Sequence, residues 1–236
     1  MNSVMTRVGT RARRAVRGII FDMDGTLTEP ILDFVKMRKR VGLALGRDIG
    51  RKDMLEEVKK ETSKERQEAA LAAIKEVETE GHEKMKLAKG VNRVCKLLDE
   101  RNIPRAILTR NSKDSLDYFH DRLPGIPEFY PAVSRDCGFL PKPAPDALQH
   151  ICQSVWGIAT QDVIMIGDSA KDDVAAGRRA GAITVLLGDE IKRENLPEEH
   201  VPDFRIKDLV EFQELLQTEF ELVSSAEDLA EVGVEK

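Results

Sequence analysis

From Gly18 onward the chain alternates between short, nearly unbroken apolar runs and longer stretches in which apolar residues recur every three or four positions. The short runs predict strands buried on both faces, and the 3.6-residue period predicts helices with one face against a core. The runs are Gly18-Ile19-Ile20-Phe21, Arg105-Ala106-Ile107-Leu108, Val163-Ile164-Met165-Ile166 and Ile183 to Leu187, with shorter candidates at Tyr130 to Val133 and Phe204 to Ile206. Helical spacing falls between them: Val91, Val94, Cys95, Leu97 and Leu98; Leu116 and Phe119; a segment from Asp146 that stops near Gly157; Val174 to Ala180; and Leu209 to Leu216. Strands alternating with helices predict right-handed crossovers and a parallel sheet, an α/β fold.

Residues 30–87 break the alternation and show only helical periodicity. Asp33 is placed to cap a helix carrying Phe34, Met37, Val41 and Leu45, which ends near Gly46; Met54, Leu55 and Val58 suggest a second. Thr62, with Glu65 three residues on, fits a capping box before a third helix through Ala70, Leu71, Ile74 and Val77 that ends near Gly81. These helices carry few large apolar side chains, so the expectation is a lid that rests on a larger body rather than a unit that folds alone. The predicted organisation is a basic arm over 1–16, an α/β core over 17–29 and 88–220, an inserted helical cap over 30–87, and a solvated acidic tail over 221–236.

Composition narrows the setting. At 236 residues, 41% hydrophobic and 33% charged, the chain can bury a full core, and it has no run of about 18 apolar residues of the kind a membrane span needs. Its formal net charge of -5 argues against nucleic acid as the main partner. Cys95, Cys137 and Cys152 form no C-x-x-C pair and suit buried free thiols in a reducing compartment, so a cytoplasmic location is expected. The first 17 residues hold Arg7, Arg11, Arg13, Arg14 and Arg17 and no acid, a bias shared by mitochondrial and plastid presequences and equally by a plain disordered arm.

The chemistry gathers where the apolar runs stop. Asp22 and Asp24 follow Phe21; Thr109-Arg110-Asn111-Ser112 follows Leu108; Gly167-Asp168-Ser169, then Asp172 and Asp173, follow Ile166. Lys142 lies in Pro141-Lys142-Pro143, a rigid approach to the next helix. Alternate strand residues point the same way, so Asp22 and Asp24 project together from a strand's C-terminal end, where open α/β sheets bind their ligands. Two carboxylates aimed at one spot imply a cation or a shared proton. One Asp after a strand is usually a turn former or a cap; four such polar positions in series point to a site. His82, His120, His150 and His200 have no ligand spacing, and Ser112 has no evident base.

In this order, these residues resemble the haloacid dehalogenase-like (HAD) hydrolase superfamily over about residues 17 to 216. Asp22-Met23-Asp24-Gly25-Thr26 is similar to its first motif (D-x-D-G-T), Thr109 to the second, Lys142 to the third, and Gly167-Asp168-Ser169 with the following acids to the fourth. The resemblance implies a Rossmann-like parallel-sheet core with a cap inserted between the first and second motifs, where residues 30–87 fall, as in phosphoglycolate phosphatase-like members. It also implies a Mg²⁺-dependent phosphomonoester hydrolase acting on a small phosphorylated metabolite. Asp22 would be the nucleophile, forming a phosphoaspartyl intermediate, and Asp24 the acid and base. Thr109, Lys142 and the N–H groups of Asn111 and Ser112 would hold the phosphate. Asp22, the backbone carbonyl of Asp24, and Asp168 would hold the ion.

Two positions stay open at this level. Asp172 fits the motif by spacing, whereas Asp173 fits by alignment of the downstream Val174-Ala175-Ala176-Gly177. Arg110 stands where many members carry a small or amide residue, and reads either as a clamp on an anionic substrate or as a surface side chain. The Arg38-Lys39-Arg40 run likewise reads as a substrate contact or as a solvated face. A sugar phosphomutase on the same core is an alternative, with Thr26 leaning toward phosphatases. So is a non-catalytic binding protein, against which stand four intact motifs. The oligomeric state is not encoded in any feature of the sequence read here.

Overall fold

The structure is a computed structural model that describes residues 13–30, 32–122, 125, 127–188 and 197–224. In chain order its strands are Arg14–Val16 (β1), Gly18–Phe21 (β2), Arg105–Leu108 (β3), Ala132–Val133 (β4), Val163–Gly167 (β5), Ile183–Leu187 (β6), Phe204–Ile206 (β7) and Phe220–Leu222 (β8). β2 to β7 form one sheet in the order β4-β3-β2-β5-β6-β7, parallel throughout. The chain runs outward from β2 to β4, returns to lay β5 against the other side of β2, and runs outward again to β7. The reversal leaves a crevice at the C-terminal ends of β2 and β5, the position where such sheets bind ligands.

The α-helices are Phe34–Leu45 (α1), Met54–Lys59 (α2), Lys64–His82 (α3), Val91–Glu100 (α4), Lys113–His120 (α5), Asp146–Gln149 (α6), Ala175–Ala180 (α7) and Leu209–Glu219 (α8). Two of them join π-helical turns, His150–Trp156 after α6 and Ala170–Val174 before α7. Strand alternation sorts the sheet's side chains. Ile19, Phe21, Ile107, Ile164, Ile166 and Val185 pack against α4, α5 and α8, while Ile20, Ala106, Leu108 and Met165 pack against α6 and its continuation. Phe21 meets Phe129 and Phe212 edge to face, with ring centroids 5.7 and 6.1 Å away. Burying such a side chain is worth about 2–3 kcal/mol, so β2 is fixed by its own apolar run before the residues that follow it do any chemistry.

The cap differs from expectation in having a core of its own, made of Met37, Val41, Leu45, Ile49, Val58, Ala70, Ile74 and Val77. Seven of its eight members are Met, Val, Leu or Ile, drawn from α1, α2 and α3 and, in Ile49, from the loop between α1 and α2. α3 is capped by Ser63, whose hydroxyl accepts from the N–H of Arg66, and not by Thr62; the N–H groups of both Thr62 and Ser63 are taken by the Glu61 carboxylate.

Both ends of the core also reach further than the pattern indicated. Arg14–Val16, read as part of a disordered arm, pairs in parallel with Phe220–Leu222, the last two of which belonged to the expected solvated tail. Val16 and Phe220 are buried at 0% and 3% exposure, which holds this ribbon to the body. The rest of the predicted arm, with Arg7 and Arg11, and the tail acids Glu227, Asp228, Glu231 and Glu235 lie outside the described residues, as does part of the loop from Leu123 to Pro127. No helix among the described residues is long and apolar enough to cross a membrane.

Candidate active site

Register places the site. Phe21 pairs with Ile107 on one side and Ile166 on the other, and the Asp22 N–H continues the ladder to the Ile166 carbonyl at 2.9 Å. Asp22 therefore emerges level with the end of β5, beside Asp168, and Thr109 emerges from β3 with its N–H on the Val133 carbonyl at 2.9 Å. Gly25 turns the chain away at φ +82°; a Cβ there would stand 2.3 Å from Asp168 Oδ2, so glycine is required both by conformation and by the approach of that carboxylate. A Cβ on Gly167 would meet Asp173 Oδ2 at 2.1 Å.

Lys142, 4% exposed, is at the centre. Its ammonium donates to Asp22 Oδ1 (2.6 Å), Asp173 Oδ1 (2.6 Å) and the Leu108 carbonyl (2.7 Å), using all three of its protons. Asp173, 2% exposed, accepts a further bond from the Ser169 N–H at 3.0 Å. Asp172 points elsewhere: it exchanges hydrogen bonds with Ser169 and accepts from Arg110 at 3.4 Å. Of the two, the fold brings Asp173 into the cluster: carboxylate oxygens of Asp22, Asp168 and Asp173 lie within 4.8 Å of one another, and Asp172 is not among them. The reason is the π-helical start of this segment, where the Val174 N–H reaches back five residues to Ser169. The wider turn swings the fifth residue, rather than the fourth, toward the site.

The cluster carries more negative charge than Lys142 offsets. Burial pushes the Asp22 carboxyl up, against the pull of Lys142. Asp173 is raised to about 6, first by burial and then by Asp22, again against Lys142. Asp168 opens onto the cleft, yet loss of solvent low in that cleft and the charge of Asp173 raise it to about 6 as well. For Lys142 burial disfavours the charge, but Asp173 and Asp22 override it and raise its pKa. Three crowded carboxylates with oxygen donors only, and charge left over, fit a hard divalent cation.

Above the carboxylates lies a cavity of about 420 Å³, walled by both the core and the cap. Core residues Asp24, Thr109, Arg110 and Asn111 line it, as do Leu32, Phe34, Met54 and Leu55 from the cap. Thr109 Oγ1 accepts from the Asn111 N–H at 3.1 Å, so this N–H, expected at a phosphate, is engaged here. Asp24 is half-buried, with Thr28 Oγ1 donating to its Oδ1 at 3.4 Å.

Arg110 reaches up to Asp53, the N-cap of α2, while Asp53's other oxygen accepts from Glu56 at 3.0 Å. A second tie joins Arg135 of the core to Glu78 of α3, with Nη2 to Oε2 at 3.0 Å. Asp53, Glu78 and Arg135 all line the cavity and were not legible beforehand. Each comes from an ordinary helical or loop context, and only folding brings them over the strand ends.

The sequence pattern of the haloacid dehalogenase-like hydrolases fits residues 16–181. A haloacid dehalogenase-like hydrolase domain-containing protein of Arabidopsis thaliana is 40% identical over 92% of this chain and 91% of its own length. The chain belongs to the haloacid dehalogenase-like hydrolase family. Two phosphatases of this family are more distant relatives. A pyrophosphatase of Halalkalibacterium halodurans is 25% identical over 85% of this chain and 97% of its own, and a phosphoglycolate phosphatase of Photobacterium profundum is 27% identical over 68% and 79%. A solved hydrolase from Pseudomonas syringae superposes with a TM-score of 0.71 at 22% identity, covering 87% of this chain and all of its own, which agrees in fold. The chain is a phosphatase-like hydrolase with the α/β core and acidic cluster of that family.

Proposed function

We propose that the protein is a Mg²⁺-dependent phosphomonoester hydrolase that acts on a small phosphorylated metabolite through a phosphoaspartyl intermediate on Asp22. The observation that carries the reading is the setting of Asp22: a carboxylate 8% exposed, at the floor of the cavity, 2.6 Å from a buried ammonium and beside two further carboxylates. A carboxylate in such a place can attack only if the repulsion of the phosphoryl dianion is offset. At ~4 Å and an effective dielectric of ~20, each pair of unit like charges repels by ~4 kcal/mol. Lys142 offsets part of this. Asp22, Asp168 and the backbone carbonyl of Asp24 would hold Mg²⁺, with Asp173 supporting them. When bound, the ion supplies two further positive charges against the phosphoryl oxygens.

An Asp22 oxygen attacks phosphorus, the bond from phosphorus to the leaving oxygen breaks, and Asp24 gives that oxygen its proton. Asp24, now ionised, takes a proton from water; the water oxygen attacks phosphorus, the acyl-phosphate bond breaks, and Asp22 is restored as a carboxylate. The Thr109 hydroxyl donates to a phosphoryl oxygen, and Lys142 stays protonated throughout, consistent with its raised pKa. The cavity volume of about 420 Å³ suits a small molecule rather than a polymer. The relatives named for pyrophosphate and phosphoglycolate fit the same class. The test is release of inorganic phosphate from an aryl phosphate with Mg²⁺. Loss of release on chelation and in Asp22→Asn is expected; release that survives either change rejects the mechanism.

A further inference from the structure

The charged side chains that line the cavity divide into a paired set and an unpaired one. Lys142 is matched by Asp22 and Asp173, Arg110 by Asp53 and Asp172, and Arg135 by Glu78. On the cap side, Arg38, Arg51 and Lys52 also line the cavity, as Lys171 does on the core side, and none of the four is in an ion pair among the described residues. The Arg38-Lys39-Arg40 run is accordingly not one face. Arg40 turns away to Glu76 and Glu80, Lys39 borders a groove outside the cavity, and Arg38, which also borders that groove, is the one of the three that lines the cavity.

Arg38 is also bonded in a way that organises the other two. Its Nη1 donates to the carbonyls of Gly50 at 2.9 Å and Lys52 at 2.6 Å, so it ties down the loop that carries Arg51 and Lys52. Asp48, the acid of that loop, turns its carboxylate onto the Gly50 N–H at 2.8 Å and does not line the cavity. Lys52's charge is felt by Glu57, which is buried in the cap and does not line the cavity either. The cavity therefore has an acidic floor suited to a cation and a phosphoryl group, and a cap wall on which Arg38, Arg51 and Lys52 stand outside any ion pair among the described residues.

From this we infer that the substrate carries a second anionic group, a carboxylate or another phosphate, on its non-reacting end. Arg51 and Lys52 bind that group, and Arg38 positions their loop. The inference rests on the hydrolase reading above and assigns the class of its leaving group. A charge-assisted contact of this kind favours the anionic ester by about tenfold or more.

The test compares three short esters of equal length with Mg²⁺: one phosphate ester ending in carboxylate, one ending in a second phosphate, and one ending in a neutral hydroxyl. Expected is a kcat/KM for at least one anionic ester about tenfold or more above that of the neutral one, carried mainly by KM. Whichever anionic ester leads names the group. The preference should fall as salt is added. It should shrink to within about threefold in the Arg51→Gln/Lys52→Gln double variant, whose side chains are exposed and carry no fold-bearing contact. Arg38→Gln should lower the preference through KM, and Arg38→Lys should restore part of it, because both bonds come from Nη1 alone and an ammonium can also donate to two carbonyls. Equal use of all three esters, or a preference that survives the double variant, overturns the inference while leaving the hydrolase reading standing. Hydrolysis of none of them overturns both.

Discussion

Lys142 is the residue on which the site's electrostatics turn, because one ammonium serves two buried carboxylates and a strand-end carbonyl. Truncating it leaves Asp22 and Asp173 buried without a counter-charge, a loss of about 3–5 kcal/mol for a broken buried pair. Lys142→Ala should therefore shift the urea midpoint strongly at pH 7.5. The shift should be smaller at pH 5, where the carboxylates escape the penalty by taking up protons; an equal shift at both pH values would contradict this. Gly25→Ala tests a neighbouring constraint. A methyl at φ +82° and 2.3 Å from Asp168 Oδ2 must displace that carboxylate, so metal-dependent activity should collapse while stability falls by only about 1–2 kcal/mol.

At the scale of elements, the cap and the core are separate packing units joined by a few polar contacts. The cap has its own apolar cluster, and its ties to the core include Arg110 with Asp53, Arg135 with Glu78, and His82 Nε2 with Ser115 Oγ at 2.9 Å. Ties of this sort hold a lid closed without fixing it there. Glu78→Gln together with Asp53→Asn should speed amide hydrogen exchange across α1 to α3 while leaving β2 and β5 unchanged; uniform acceleration would mean that cap and core open as one unit.

This division was partly legible. The helical period of residues 30–87 and the polar ends of β2, β3 and β5 showed in the sequence, because burial on both faces of a strand demands an apolar run that must stop at the site. The cap's own core did not show, because Ile49 lies in a loop with no helical period and the apolar positions of α1, α2 and α3 meet only on folding. Nor did Asp173 over Asp172, because a π-helical turn is a backbone feature that no residue there dictates. The β1–β8 ribbon escaped notice because a three-residue strand beginning with Arg14 has no pattern to read.

For the whole molecule, the fold concentrates negative charge at its own topological switch point, and this should be measurable in its stability. Asp168 and Asp173 are raised from an ordinary value near 3.8 to about 6. A carboxylate raised on folding favours the folded state while protonated, and that contribution is lost as pH rises through about 6. Without metal, these groups should make the protein less stable at pH 7.5 than at pH 5. Mg²⁺ needs them ionised, so the rise in Tm on adding it should be small at pH 5 and should grow as pH passes about 6. A Mg²⁺ effect independent of pH, or largest at pH 5, would place the ion elsewhere.

The central claim is that Asp22 carries the phosphoryl group. Asp24→Asn should still accept it and should release it about 10²–10⁴-fold more slowly, having lost the base that activates water. This variant, mixed with a labelled aryl phosphate and Mg²⁺, quenched in acid and digested, should yield one hydroxylamine-sensitive labelled peptide containing Asp22. The same label should be absent when Asp22→Asn is combined with it. Label on another residue, or phosphate release with no label on Asp22, would contradict the mechanism.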